Sequence, residues 1–147
     1  MKLMESVKIS QAITPAAGVA GATDLNGAVL DMDGFDGVLI LVTFAAITAG
    51  AVTKVRVQQG ETANLADAHD LENTNQDIAD DDDNTVAYVE ILNPRERYLR
   101  LVVDRATENA AVANAIYIQY KASRLPVPAQ GTGIIGETFT DPAEGTA

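Results

Sequence analysis

Cysteine and tryptophan are absent from this 147-residue chain, and histidine occurs once, at position 69. Without cysteine the chain forms neither a disulfide nor a thiolate metal site, which fits synthesis in a reducing cytosol. No G-x-S-x-G nucleophile elbow occurs, and the glycine-rich pieces lack the strand–loop–helix setting of a phosphate site. We therefore predict that the protein is not an enzyme and that it has no cofactor and no metal site.

Basic residues are scarce and long apolar runs are missing. The chain has ten Lys and Arg residues and 21 Asp and Glu residues, which gives a net charge of −11. Nucleic acid and anionic membranes repel such a chain. No apolar run approaches the ~20 residues of a membrane helix, and the N-terminus lacks the apolar region of a signal peptide. We expect neither a nucleic-acid nor a membrane partner, so any macromolecular partner should be a protein.

The chain also lacks a long amphipathic helical pattern. Its central stretch, residues 29–59, holds an apolar run from Val38 to Ile47 and then an alternating run from Val52 to Gln58. Apolar runs rich in β-branched residues and bounded by Gly and Asp are typical of strands. The pattern predicts one all-β domain, an antiparallel sandwich or barrel. The predicted strands are 5–12, 28–33, 37–47, 52–59, 85–92, 97–104 and 112–123.

Alternation within these strands predicts which side chains face the core. The predicted core residues are Val38, Ile40, Val42, Val55, Val57, Val89, Ile91, Leu99, Leu101, Val103, Ile116 and Ile118.

Residues 60–84 form an acidic segment with nine carboxylates and no Lys or Arg. We expect a solvated excursion, with at most one helical turn around Leu65 to Leu71. The run from Asp80 to Asp83 suggests calcium, but it does not have the spaced ligands of a dedicated calcium loop. His69 is expected on the surface of this loop. The role of the segment, and whether Ca²⁺ binds there, stay open.

Residues 125–147 contain three of the five prolines and isolated apolar side chains at Leu125, Val127, Ile134, Ile135 and Phe139. We predict a sandwich domain over 1–124 and an extended C-terminal arm over 125–147. Such an arm gains order by lying against another subunit. The alternative is a disordered tail without a partner.

Four of the ten basic residues cluster within eleven positions: Arg95, Arg97, Arg100 and Arg105. Two interpretations stay open. The cluster pairs with the chain's own acidic residues, or it docks on an acidic protein surface, where Arg is a favoured anchor. The candidate partner contacts are these four arginines together with Ile134, Ile135 and Phe139.

Three short motifs carry a resemblance to a known family. The first is the entry Leu30, Asp31, Gly34, Phe35 and Asp36 into the apolar strand. The others are Val55, Val57 and Gln58, and then Arg97, Tyr98, Leu99, Arg100 and Leu101. Over residues 28–122 the chain resembles the jelly-roll head decoration, or cement, proteins of tailed bacteriophages. It departs from their pattern at Leu30, where they have Val, and in the longer insert 60–84.

The resemblance implies a jelly-roll structural protein made in the host cytoplasm and bound to the exterior of the phage capsid. Its partners would be the major capsid protein and further copies of itself, as a trimer or a dimer, and it would stabilise the head by bridging capsid subunits. The alternative is a β-sandwich carbohydrate- or receptor-binding module of a phage tail or surface structure. Saccharide sites usually need exposed aromatic side chains, and this chain has only seven aromatics.

Overall fold

A computed structural model describes residues 2–146. A 3-10 turn over Leu3–Glu5 precedes ten strands in the described part of the chain. The strands are β1 (Lys8–Ile13), β2 (Leu25–Asn26), β3 (Leu30–Asp31), β4 (Phe35–Ile47), β5 (Val52–Gly60), β6 (His69–Asp70), β7 (Gln76–Ile78), β8 (Val86–Leu92), β9 (Tyr98–Ala106) and β10 (Ala110–Ala122).

The strands form two antiparallel sheets that pack face to face. One sheet has the order β1-β10-β4-β8. The other has the order β2-β9-β5-β6, with β3 pairing beside β2 on β9 and β7 pairing beside β6 on β5. When β2 and β3 are counted as one strand, and β6 and β7 as another, this is the strand order of a jelly roll. In that fold the connections repeatedly cross between the two sheets. The predicted antiparallel sandwich is confirmed.

The long strands begin and end within a few residues of their predicted bounds. The first and second predicted strands differ more. The predicted strand 28–33 is reduced to β3, and the unpredicted β2 precedes it on the same edge of β9. Between β2 and β3, the Gly27 backbone N–H donates to Leu101 O over 2.7 Å. The predicted strand 5–12 begins later, at Lys8, because the 3-10 turn precedes it. A bulge interrupts its pairing with β10 between Gln11 and Ile13.

Nine of the twelve predicted core residues are buried between the sheets, and three are half-buried: Ile91, Ile116 and Ile118. Ile91 packs at the margin of the core. The prediction for β10 was wrong, because its buried face carries Ala115, Tyr117 and Gln119 instead of the two isoleucines. The polar ends of that face are satisfied. The Tyr117 hydroxyl donates to Ala28 O over 2.8 Å and Gln119 Nε2 donates to Asp31 O over 2.8 Å.

The acidic segment 60–84 contains no helical turn. Leu65 has a φ of 54° and is buried, and the segment supplies the short edge strands β6 and β7. Several carboxylates accept hydrogen bonds from backbone N–H groups. Asp83 Oδ1 accepts from Ile47 over 2.7 Å, and Asp67 Oδ2 accepts from Glu61 over 2.8 Å. Hydrogen bonds from the Thr62 hydroxyl and from the backbone lower the pKa of Asp67 to about 2.

Candidate functional site

The two outer faces of the sandwich differ in chemistry. On the six-stranded sheet, Arg56 forms a bidentate pair with Asp104, with Nε–Oδ2 and Nη2–Oδ1 distances of 2.9 and 3.0 Å, and it also reaches Asp70. The hydrogen bond to Asp104 and the nearby charges raise the pKa of Arg56. Arg100 Nε donates to Gln58 Oε1 over 2.8 Å beside this pair. This outer face is therefore polar, and its Arg56 is paired with carboxylates of the same chain.

The outer face of the four-stranded sheet is mainly apolar. The strand registers place two rows of side chains across it. One row runs Ile9–Ile118–Leu39 and ends at Glu90. The next row begins at Gln11 and runs Ile116–Leu41–Tyr88. We call this surface the apolar face and define it by these six residues: Ile9, Leu39, Leu41, Tyr88, Ile116 and Ile118. Tyr88 is 63% exposed, and the other five are half-buried.

Tyr120 marks one end of the apolar face. It lies opposite Gly37 in the register, and a Cβ atom on that glycine would lie only 2.4 Å from the tyrosine ring. The ring thus packs directly on the Gly37 backbone, a contact that needs glycine. The Tyr120 hydroxyl donates to Glu90, and this bond raises the pKa of Tyr120 to about 12.

The first part of the C-terminal arm lies along the outer edge of β1. Val127 N donates to Glu5 O over 2.9 Å, and Gly131 N donates to Ile9 O over 2.8 Å. The Gln130 side chain fills the interval: its Oε1 accepts from Ile9 N over 2.6 Å and its Nε2 donates to Val7 O over 3.1 Å. Because these bonds satisfy edge groups of β1, the chain covers this edge with its own arm.

The second part of the arm borders a groove on the domain and is exposed from residue 135 to residue 146. Ile134 is half-buried in a groove that Met4, Ile9 and Val127 help to line. Beyond it, Ile135 is 99% exposed and Phe139 is 71% exposed. Ile9 belongs to both the groove and the apolar face, so the two surfaces are continuous. The arm thus divides into a docked part up to Ile134 and a protruding part, from Ile135 onward, that carries two exposed apolar side chains.

The arginine cluster is dispersed by the fold. Arg97 forms a bidentate pair with Asp31, in which Nε donates to Oδ1 and Nη2 donates to Oδ2, each over 2.8 Å. Its guanidinium carbon lies 5.3 Å from the centroid of the Tyr98 ring. The Arg97 guanidinium lowers the pKa of Asp31. Arg100 is half-buried on the polar outer face. Arg95 is exposed and, within residues 2–146, is in no ion pair.

Arg105 is buried, with only 5% of its surface exposed. Its guanidinium donates to three backbone carbonyls, those of Val19, Thr23 and Ala110, at 2.7 to 2.8 Å. Burial lowers its pKa. Arg105 therefore fastens the loop between β1 and β2 to the start of β10. It cannot present its charge to a partner, and we remove it from the candidate contacts.

Two features that would indicate other functions are missing from residues 2–146. No group of three or more His, Asp or Glu side chains could hold a metal ion there. No helix in that range is long and apolar enough to cross a membrane. Comparison with known proteins adds no relative. No protein-family model matches the chain, and a search of curated proteins returns no significant match.

Proposed function

We propose that this protein is a structural virion protein that decorates the outside of a phage head and stabilises it by bridging capsid subunits. The observation that carries the proposal is the contrast between the two outer faces. Contiguous exposed apolar surface on a soluble domain usually marks a site of protein interaction. The apolar face is contiguous, with Tyr88 exposed and its other five side chains half-buried. On the opposite face, Lys54 and Arg56 pair with carboxylates of the same chain.

The protruding part of the arm supports the bridging role. It starts beside the apolar face, and its exposed Ile135 and Phe139 are suited to fill pockets on a neighbouring subunit. Residues 134–147 span roughly 45 Å when fully extended. An arm of that reach can contact a second capsid subunit while the apolar face contacts the first. The net charge of −11 favours a partner surface that is apolar or basic.

The test of the apolar face uses one charge on each side of the sandwich. Ile118→Glu places a carboxylate in the middle of the apolar face, and Lys54→Glu places one on the polar outer face. Mixed with undecorated capsids and imaged by electron microscopy, the Ile118→Glu protein should leave the shells bare. The Lys54→Glu protein should bind as the parent does. Equal binding by both variants would contradict the assignment of the apolar face.

The test of the arm uses two truncations, because the docked part also protects β1. A chain ending at Gly133 keeps the bonds of Val127, Gln130 and Gly131 to β1 and loses the protruding part together with Ile134. It should stay folded and bind capsids much more weakly. A chain ending at Arg124 also uncovers the β1 edge and should be less stable. Unchanged capsid binding by the chain ending at Gly133 would remove the protruding part from the mechanism.

A further inference from the structure

The outer edge of β8 differs from the other three sheet edges. The arm covers the edge of β1, and the six-stranded sheet ends in strands of two or three residues on both sides. Short or covered edges resist pairing with other chains. β8 has seven residues, without Pro, Lys or a bulge, and within residues 2–146 no strand pairs with its outer side. Such an edge is a template for another strand.

The direction of the backbone groups on β8 can be read from its neighbours. Phe44 N donates to Thr85 O, and Asn93 N donates to Asp36 O, so the odd-numbered residues direct their main-chain groups toward β4. The even-numbered residues, Val86, Tyr88, Glu90 and Leu92, direct theirs outward. A hydrogen bond from Gln76 is consistent with this direction. Its Nε2 donates to Tyr88 O over 3.0 Å on the side of β8 that faces away from β4.

We propose that β8 pairs with β8 of a second copy of this chain, antiparallel and about a two-fold axis at Val89. In this register Tyr88 lies opposite Glu90 of the second copy, and Val86 lies opposite Leu92 of the second copy. The four outward-facing residues of each strand then exchange about eight main-chain hydrogen bonds. The two four-stranded sheets become one sheet of eight strands, and the two apolar faces become continuous.

The charges flanking β8 favour this occupant. The acidic run from Asp80 to Asp83 precedes the strand and Arg95 follows it. Asp83 and Arg95 are each six residues from Val89, so the two-fold axis brings Arg95 toward the acidic run of the second copy. Asp81 and Arg95 are both exposed. Because a two-fold interface repeats each contact, the pairing of unlike charges occurs twice. A second copy therefore complements this edge in both shape and charge.

The test is sedimentation equilibrium of the isolated full-length protein, which separates the result from capsid binding. The parent should be a dimer. Tyr88→Pro removes an outward N–H without removing a bond to β4, a position where an edge strand tolerates proline. It should raise the dimer dissociation constant at least about tenfold. Arg95→Asp, which leaves the strand intact, should also weaken the dimer, and adding Asp81→Arg should restore it.

Gln76→Ala should change the dimer affinity in the opposite direction. The Gln76 side chain is the group that now bonds to Tyr88 O, so its removal should tighten the dimer. Circular dichroism of each variant checks that the sheet content is unchanged. A parent that sediments as a monomer or as a trimer would overturn the proposal. So would a dimer that neither Tyr88→Pro nor Arg95→Asp weakens.

Discussion

Tyr117 accepts a hydrogen bond from the backbone N–H of Leu101 through its hydroxyl, over 2.9 Å and across the interior of the sandwich. The same hydroxyl donates to Ala28 O. Tyr117 belongs to β10 in the four-stranded sheet, and Leu101 belongs to β9 in the other. The contact lies at the break between β2 and β3, where neither strand pairs with β9. Tyr117 there supplies the acceptor for the Leu101 N–H. Burial raises the pKa of Tyr117, so the hydroxyl stays protonated and keeps its donor.

Tyr117→Phe should destabilise the fold because it leaves the buried Leu101 N–H without an acceptor and removes the donor to the Ala28 carbonyl. The expected loss is about 1–3 kcal/mol in the free energy of unfolding, measured by urea denaturation. Tyr120→Phe is the matched control, since its hydroxyl bonds to the exposed Glu90 and the loss should stay near 0.5 kcal/mol or less. Equal losses for the two variants would show that the hydroxyl does not join the sheets.

Truncation of side chains should separate the interior of the sandwich from the outer face of the four-stranded sheet. Ile40 and Leu101 have no exposed surface, so their replacement by Ala should cost about 2–5 kcal/mol each. Ile116→Ala lies on the apolar face and should cost clearly less in the isolated protein. The comparison is made by chemical denaturation at one pH. A larger loss at Ile116 than at Ile40 would mean that the faces of β4 and β10 are reversed.

Arg105→Ala should destabilise the loop between β1 and β2, because the carbonyls of Val19 and Thr23 lose their donor and that of Ala110 keeps only the Gly21 N–H. We expect a loss of at least ~2 kcal/mol in unfolding free energy. Hydrogen exchange should show faster exchange in residues 14–24 before global unfolding. Arg95→Ala, at an exposed site, should leave the stability of the monomer unchanged. A harmless Arg105→Ala would mean that water replaces the guanidinium without cost.

The Asp31–Arg97 pair predicts a pH dependence of stability. The pair lowers the pKa of Asp31 in the folded state, so its contribution is complete above the unfolded value near ~4. It is lost as the pH falls through the lower folded value. The urea midpoint should therefore fall with acidification below about pH 4, and Asp31→Asn should reduce that slope. Arg97→Ala should reduce it similarly. A parallel slope in all three proteins would assign the acid sensitivity to other carboxylates.

The sequence predicted the strands well because apolar alternation and Gly, Pro and Asp turns are local signals. It failed on the facing of β10, where both sides are apolar and periodicity alone cannot choose. The choice is made by Tyr117 and Gln119, whose polar ends meet groups from distant β9 and the turn near β3. The error concealed the apolar face, because Ile116 and Ile118 were assigned to the core.

Residues 60–84 and the arm were harder to predict for a related reason. The short strands β6 and β7 exist because β5 offers them an edge, and their own composition gives no strand signal. The docking of the arm on β1 depends on the side chain of Gln130, which looks like any polar residue of a linker. The dispersal of the arginines likewise follows from which strand face each one occupies. Such contacts depend on the assembled fold.

The strand order of the four-stranded sheet sets the time at which the protein can fold. No two strands that are consecutive in the sequence are neighbours in that sheet, and β1 pairs with β10, which is made last. During synthesis on the ribosome, the first strand must wait for nearly the whole chain to emerge. A topology of such distant pairings folds in milliseconds to seconds. Until β10 emerges, the apolar β4 lacks its partner on one side, so chaperone demand should be greatest just before that strand is made.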